Sequence, residues 1–418
     1  MKLFQQMLVA TASLGLIAPI AAQASDLINL DGMNDYKRSS KKSSSKKRFD
    51  HKTFVNQVNE ELAGLEAQPN NFEASSFSDT TTLDGKAVFT VGSMDTNNDA
   101  YTGQVLAEYM YQLNLNTSFN GDDNLYVRLK AGNGNSWTET KNVYNGYLSA
   151  AKGNTDYLKV DKIWYTRPIG DRNTIWIGPQ IENYYMHATT PSIYKPVLKA
   201  FTLGGNAAAY GASTSPGAGW AYQADNGFAV SSNFTTQDGE DTNGMLTDGG
   251  KTSWATQVGY TKSQYSVSAL LNMKYNGWVD EYFQSSAGLA RPGDGNSTNI
   301  GLRGWWRPES TGGAVPSISA GYDTSETDDT GNNNTTAYFV GLTWQDIINA
   351  DDRIGVAFGQ PQKHEDDTIN PFLYEVYYDY KVNDSVTVTP AIFGGKSNDN
   401  ANGTVDMSGY LVSTTFKF

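Results

Sequence analysis

The stretch FLYEVYYDYKVNDSVTVTPAIF, residues 372–393, decides how this chain is built. Phe372, Tyr374, Val376, Tyr378 and Tyr380 fall on one face of an extended chain and Glu375, Tyr377, Asp379 and Lys381 on the other, because successive side chains of a strand point to opposite sides. Val386, Val388 and Ile392 then alternate with Thr387 and Thr389. A period of two argues for strands, here one apolar, aromatic face and one polar or charged face.

The same alternation extends in both directions. Val105, Ala107, Tyr109, Tyr111, Leu113 and Leu115 oppose Glu108, Gln112 and Asn114, and Leu125, Val127, Leu129 and Ala131 oppose Tyr126, Arg128 and Lys130. Tyr410, Val412, Thr414, Phe416 and Phe418 close the chain on an aromatic residue, as the last strand of an outer-membrane barrel does. The pattern predicts about sixteen strands, near 83–92, 104–117, 123–132, 157–168, 173–182, 217–225, 227–236, 252–262, 264–273, 297–307, 314–324, 335–345, 353–360, 371–382, 384–393 and 405–418. Short connections such as 118–122, 225–227 and 262–264 alternate with long ones such as 133–156, 237–251 and 274–296, the mark of a membrane barrel with short periplasmic turns and long external loops. The expected fold is therefore all-β: an antiparallel transmembrane barrel over 83–418, preceded by a short periplasmic helix.

Composition agrees with that reading and removes others. Mean hydropathy is −0.50, and 39% of the 418 residues are hydrophobic while 12% are aromatic. A barrel exposes only every second strand residue to lipid, so its average can be polar. No segment after the N-terminus reaches the ~20 consecutive apolar residues of a membrane-spanning helix. With no cysteine there is no disulfide framework, thiolate metal site or cysteine nucleophile.

The N-terminal region divides into three. Residues 1–24, with Lys2, an apolar run from Met7 to Ala22 and the small-residue site Ala22-Gln23-Ala24, read as a secretory signal peptide. Residues 25–52 read as a Lys/Ser-rich disordered linker, with Lys37, Arg38, Lys41, Lys42, Lys46, Lys47, Arg48 and Lys52 separated by serines. This basic tail suits a cell-wall polyanion or anionic head groups; nucleic acid is not expected beyond a signal peptide. Residues 53–82 hold a short helix and lead-in, where Val55, Val58, Leu62 and Leu65 recur at spacings of 3, 4 and 3. That is a two-heptad coiled-coil seam, too short to hold without another oligomer interface.

A barrel of sixteen strands leaves an aqueous channel. The expected function is thus passive diffusion of small hydrophilic solutes, with no catalytic step, cofactor or metal. The longest connection, 183–216, is the third external loop and is expected to fold inward and narrow the pore. Its candidates for the constriction are His187, Tyr194, Lys195 and Lys199, facing Arg128, Arg303 and Arg307 on the wall. A ring of charge at a constriction filters by size and sign. Trp305 beside it reads as a sugar-stacking or interfacial girdle residue. Residues 83–418 carry 22 basic and 35 acidic side chains, a net of −13. Acidic loops would gather cations at the mouth and give the whole a cation preference, while arginines at the throat would favour anions or neutral polyols.

Several stretches resemble the porins of cyanobacterial outer membranes, the S-layer-homology and carbohydrate-selective type that includes iron-uptake porins. They are Phe77-Ser78-Asp79-Thr80-Thr81-Thr82-Leu83-Asp84-Gly85, LNTSFNGDDNLYVRLKAGN (115–133), Val160-Asp161-Lys162-Ile163-Trp164-Tyr165, Ile169-Gly170-Asp171-Arg172, GVAFGQP (355–361) and the opening stretch, together spanning roughly 77–418. The resemblance implies an outer-membrane homotrimer admitting small solutes, with members regarded as carrying sugars or inorganic ions including iron. In that family an S-layer homology domain commonly precedes the coil; here the Lys/Ser segment stands in its place. Two competing readings are an outer-membrane enzyme and a structural barrel tethering membrane to cell wall with little conductance. An enzyme would need a convergent Ser, His and acid, and only His51, His187 and His364 are present, in the tail and in loops.

Overall fold

A strand whose two faces differ this sharply can satisfy its backbone in lipid only by pairing on both edges, and a ring of such strands does so by closing. In the computed structural model, which describes residues 80–97, 103–134, 146–205, 207–211, 213–237, 239–278, 295–328, 334–399 and 403–418, sixteen antiparallel strands form one closed barrel. They are β1 (Thr81–Thr96), β2 (Leu106–Thr117), β3 (Asn124–Gly132), β4 (Lys159–Ile169), β5 (Asn173–Ile181), β6 (Ser215–Gln223), β7 (Phe228–Gln237) and β8 (Lys251–Thr261). β9 (Tyr265–Lys274), β10 (Ser297–Trp306), β11 (Ser317–Thr327), β12 (Asn334–Gln345), β13 (Arg353–His364), β14 (Phe372–Asn383), β15 (Val386–Asp399) and β16 (Gly403–Lys417) complete the ring. The signal peptide, basic tail and coiled-coil seam expected before residue 80 lie outside the described residues.

Each strand pairs with its sequence neighbour, and β1 pairs with β16 to close the ring. At the seam Lys86 lies opposite Lys417 and Val91 opposite Val412. The Gly85 N–H donates to the Phe418 carbonyl at 2.8 Å and the Phe418 N–H to the Gly85 carbonyl at 3.1 Å, so the terminal aromatic residue belongs to the closure. A β-carbon on Gly85 would lie 2.7 Å from the Phe418 ring, which accounts for glycine there. That ring stacks on Tyr111 with centroids 5.9 Å apart.

The outward face is apolar around the ring. Phe89 and Val91 on β1, Trp254 and Val258 on β8, Leu271 on β9, Ile300 and Leu302 on β10, and Phe372, Tyr374 and Val376 on β14 are all exposed there. A contiguous exposed apolar belt of this extent is stable only against lipid or a partner. Inward, the same strands present Gln112, Asn114, Ser231, Asn233, Gln257, Asn272 and Asn299, all buried.

The turns at one rim are pinned by single carboxylates. Between β2 and β3, Asp123 accepts the N–H groups of Phe119 (2.9 Å) and Asn120 (3.0 Å), the Ser118 hydroxyl (2.9 Å) and the Tyr165 hydroxyl (2.8 Å). Desolvation would raise its pKa, but the bonds from Asn120, Tyr165, Ser118 and Phe119 outweigh it and hold the carboxyl at about 2. Between β12 and β13, Asp352 likewise accepts from Ile347, Ile348 and Asn349 N–H groups and from the Tyr378 hydroxyl.

Connection lengths follow the expected alternation only through the first two thirds. The connection 307–316 at the short-turn rim is longer than 328–333 and 400–402 at the other. Several strands also run on past their expected ends, among them β1 to Thr96, β11 to Thr327, β13 to His364 and β15 to Asp399.

Candidate functional site

The interior is occupied by a chain segment whose own backbone must be satisfied there. The described residues of 182–214, all but 206 and 212, lie between β5 and β6 inside the barrel and include three short 3-10 turns (Asn183–Met186, Lys199–Gly204 and Ala207–Tyr210). A segment with so little internal pairing needs partners for its peptide groups, and the inner wall supplies them in sequence. The Gln257 side chain on β8 accepts from the Thr189 N–H and donates to the Thr189 carbonyl, both at 3.0 Å. Trp305 Nε1 on β10 donates to the Thr190 carbonyl (3.1 Å), and Ser319 Oγ on β11 accepts from Ile193 (3.1 Å). On the return, Asn272 Nδ2 on β9 donates to the Ala209 carbonyl at 3.0 Å.

The far tip of the loop is held by Glu375 on β14, which is fully buried. Its Oε1 accepts the Tyr194 hydroxyl (2.9 Å) and the Val197 N–H (3.0 Å), and its Oε2 accepts the Leu198 N–H (2.6 Å). Part of the connection between β3 and β4 also turns inward. Ser149 N–H donates to the Val197 carbonyl at 2.8 Å and Lys199 N–H to the Tyr147 carbonyl at 3.0 Å, making a short antiparallel pairing around Leu148 and Leu198. Apolar side chains fill the space between loop and wall: Trp164, Trp176, Tyr184, Tyr185, Met186 and Tyr210 on one side, and Tyr194, Leu198, Phe201, Phe339 and Phe393 on the other.

The seven expected constriction residues separate into four groups. His187 and Tyr194 are pressed against the wall. His187 Nδ1 lies 3.2 Å from both Ser231 Oγ and Asn233 Nδ2, its ring meets Tyr210 edge-on, and burial pushes its pKa down to about 3, so it is neutral. Arg128 and Arg303 face inward, as alternation predicts, but each is committed to a carboxylate. Arg128 Nε donates to Asp161 at 2.6 Å and its Nη1 to the Tyr185 hydroxyl at 3.1 Å. Arg303 meets both oxygens of Asp323 at 2.9 and 3.0 Å, donates Nε to the Leu203 carbonyl at 2.7 Å, and lies 4.9 Å over the Tyr210 ring. It clamps the loop where Leu203 takes a φ of 57° and Gly204 one of 75°.

Arg307 is placed elsewhere. It follows β10 at the short-turn rim, exposed, with Nε on the Ser263 carbonyl at 2.7 Å, so it stands away from the loop tip. Trp305 differs too: buried beneath the loop and bonded to it, it neither lines the girdle nor offers a free face for a sugar. Lys195 and Lys199 remain, both half-buried at the loop tip. Burial lowers the pKa of Lys199 while Glu182 pulls it up.

Three wall residues that the sequence does not single out complete the site. Glu375 anchors the loop, Lys162 pairs with Glu182 at the loop's start while donating to Thr214 Oγ1 (2.9 Å) at its end, and Lys86 is buried on β1. Their signal was parity alone, since all three fall on inward positions of clearly alternating strands.

The three 3-10 turns of the loop run along the wall from β5 round to β13. A cavity of about 270 Å³ lies beneath the tip, bordered by Lys195 and Ser149 on one side and by Thr389, Ser413 and Lys417 on the other. Among the described residues no group of His, Asp and Glu is arranged to hold a metal ion.

A closed sixteen-stranded antiparallel barrel with an inward loop after its fifth strand is the porin-type fold, and solved outer-membrane proteins share it. Pseudomonas putida OprB, in a high-pH structure, is 12% identical and aligns over 81% of this chain and 94% of that chain with a TM-score of 0.56. Salmonella typhi OmpF in complex with daunomycin is 12% identical, over 81% and 97%, at 0.54. The in-vitro folded trimer form of Vibrio cholerae OmpT is 11% identical, over 81% and 99%, at 0.51. At these identities the likeness is one of fold. By sequence, an uncharacterized protein of Nostoc sp. (strain PCC 7120), alr4550, is 30% identical over 115 residues, 25% of this chain. The chain spans about one fifth (20%) of that relative's length. No family model matches the chain.

Proposed function

We propose that this protein is an outer-membrane porin, a water-filled channel for passive diffusion of small hydrophilic solutes. The observation that carries the reading is the pairing of an apolar exterior with a polar interior narrowed by 182–214, which a structural barrel would not require. Single-channel recording of purified protein in planar bilayers tests it: discrete, long-lived open steps are expected, and a barrel that inserts without conducting would favour the tethering role.

The motif resemblance supports the cyanobacterial porin type, with inorganic ions, iron among them, and sugars as the solutes to try. Liposome swelling with sugars of graded size separates these. A homotrimer in the outer membrane is consistent with the trimer form of OmpT and with the exterior apolar belt; resistance of a trimer band to unheated detergent electrophoresis checks it. The short-turn rim, where both barrel ends lie, then faces the periplasm. From there the tail of Lys37, Arg38, Lys41, Lys42, Lys46, Lys47 and Arg48 would reach a cell-wall polyanion. Salt-sensitive co-sedimentation with cell wall that persists after deletion of 37–48 would sink that role. A catalytic role is not proposed: a general base works best with a pKa near the working pH, and His187 is held far below it.

A further inference from the structure

A second connection enters the lumen beside the loop 182–214. The chain between β3 and β4 could have stayed outside the barrel, where water satisfies its peptide groups, yet its residues 146–151 run inward. Gly146 begins against β1, where a β-carbon would lie 2.6 Å from the Met94 Sδ. Leu148 then pairs with Leu198 at the loop tip: the Ser149 N–H donates to the Val197 carbonyl at 2.8 Å, and the Lys199 N–H to the Tyr147 carbonyl at 3.0 Å. The Ser149 hydroxyl adds a third bond, to the Pro196 carbonyl at 2.6 Å. Further along, the chain is tied to the end of β3, where Asn154 Nδ2 donates to the Lys130 carbonyl at 3.0 Å and Asn154 Oδ1 accepts the Gly132 N–H at 2.9 Å. The segment is thus a strap held at β1 and β3 and joined to the loop tip between them.

The strap lies across one part of the lumen. Leu148 is buried in the same apolar cluster as Leu198 of the loop and Met94, Phe393, Met407 and Leu411 of the wall. Met94 and Met407 stand near the long-loop ends of β1 and β16. The cavity beneath the tip has Leu148, Ser149 and Ala150 on one wall and Asp351, Asp352 and Lys417, at the short-turn rim, on another. The strap and its cluster therefore border that cavity on the side of the long loops. Glu375 already holds the tip through three donors, so anchoring the tip does not require the strap.

We propose that residues 147–150 form, together with the loop tip 195–199, a fixed second rim of the constriction, so that two connections rather than one set the largest solute the channel admits. The inference rests on the diffusion reading and deepens it. Leu148, Ser149 and Ala150, which the strap presents to the cavity, carry no charge, so this rim selects by size and not by sign.

Single-channel conductance and liposome swelling with sugars of graded size, both on the purified full-length protein, test it. Ser149→Pro removes the peptide donor and the hydroxyl together and leaves every strand as it is. Its conductance is expected to rise at least about 1.5-fold and larger sugars to enter, because both follow the open cross-section. A chain without cysteine allows a second test, Leu148→Cys with Leu198→Cys. The two positions face each other as a non-hydrogen-bonded antiparallel pair, a spacing that suits a disulfide. The oxidised pair should form and conduct as the reduced pair does. Unchanged conductance and size limit in a Ser149→Pro barrel that keeps heat-modifiable migration on gels would overturn the inference and leave the channel standing. A pair that fails to cross-link would overturn it by placing the strap away from the tip, and a channel blocked on oxidation would overturn it by making the strap a moving gate. Absence of any conductance in the wild type would overturn the diffusion reading, and this inference with it.

Discussion

The covered wall and the open wall of the barrel are built from the same alternating strands but use their inward positions differently. Under the loop, Gln257 on β8, Asn272 on β9, Trp305 on β10 and Ser319 on β11 each meet a peptide group of 182–214 within hydrogen-bond distance. The ion pairs bearing on the loop, Arg303 with Asp323, Lys162 with Glu182 and Arg128 with Asp161, each also donate to it, at the Leu203 carbonyl, the Thr214 hydroxyl and the Tyr185 hydroxyl. Across β16 and β1–β3 one register row instead runs Lys417, Lys86, Gln112 and Lys130. Where backbone has to be satisfied, neutral donors and acceptors cost least.

Substitutions separate the two walls, and the largest effect is expected from Arg303→Ala. Both partners of the Arg303 and Asp323 pair are essentially fully buried, so removing one leaves an uncompensated carboxylate and frees the Leu203 carbonyl. A loss of about 3–5 kcal/mol is expected, read as a fall in the urea midpoint of unfolding in detergent. Glu375→Leu comes next: three donors at the loop tip lose their acceptor, at about 3 kcal/mol, and single-channel traces should become noisier with a larger mean conductance. If Glu375→Leu left conductance unchanged, the tip would not be held by that side chain.

On the open wall the balance is reversed. Lys130→Gln should change the unfolding midpoint by less than about 0.5 kcal/mol; a large stability loss would make Lys130 part of the scaffold. The smallest effect concerns Asp123 at the turn. Its folded pKa of about 2 lies below the ordinary 3.8, so its stabilisation is fully present above the ordinary value and is lost as pH falls through the folded one. Asp123→Asn should therefore lower stability at neutral pH and flatten the acid limb of the unfolding curve between about pH 4 and 2.

Sequence alternation carried the strand count and the facing of nearly every strand, because lipid on one side and water on the other enforce a period of two. It placed Arg128 and Arg303 inward. It could not supply their partners, since Asp161 and Asp323 lie 33 and 20 residues away on the neighbouring strands. Glu375 was equally hidden, meeting Tyr194 across 181 residues. Arg307 was misplaced for a related reason: periodicity gives the face of a strand but not the depth along it, and Arg307 sits past the end of β10. The inward fold of the 147–149 segment had no sequence signal, because it depends on pairing with the loop tip. β15 continues past its expected end at residue 393, through Gly394 and through Gly395 at a φ of 141°.

The central claim is that solutes pass through a lumen narrowed by 182–214. Single-channel conductance of the purified protein, compared with a variant lacking residues 190–200, tests it most directly. The account predicts stable open steps in the wild type and clearly larger ones in the shortened loop. A closed wild type, or equal conductance in both, would contradict it.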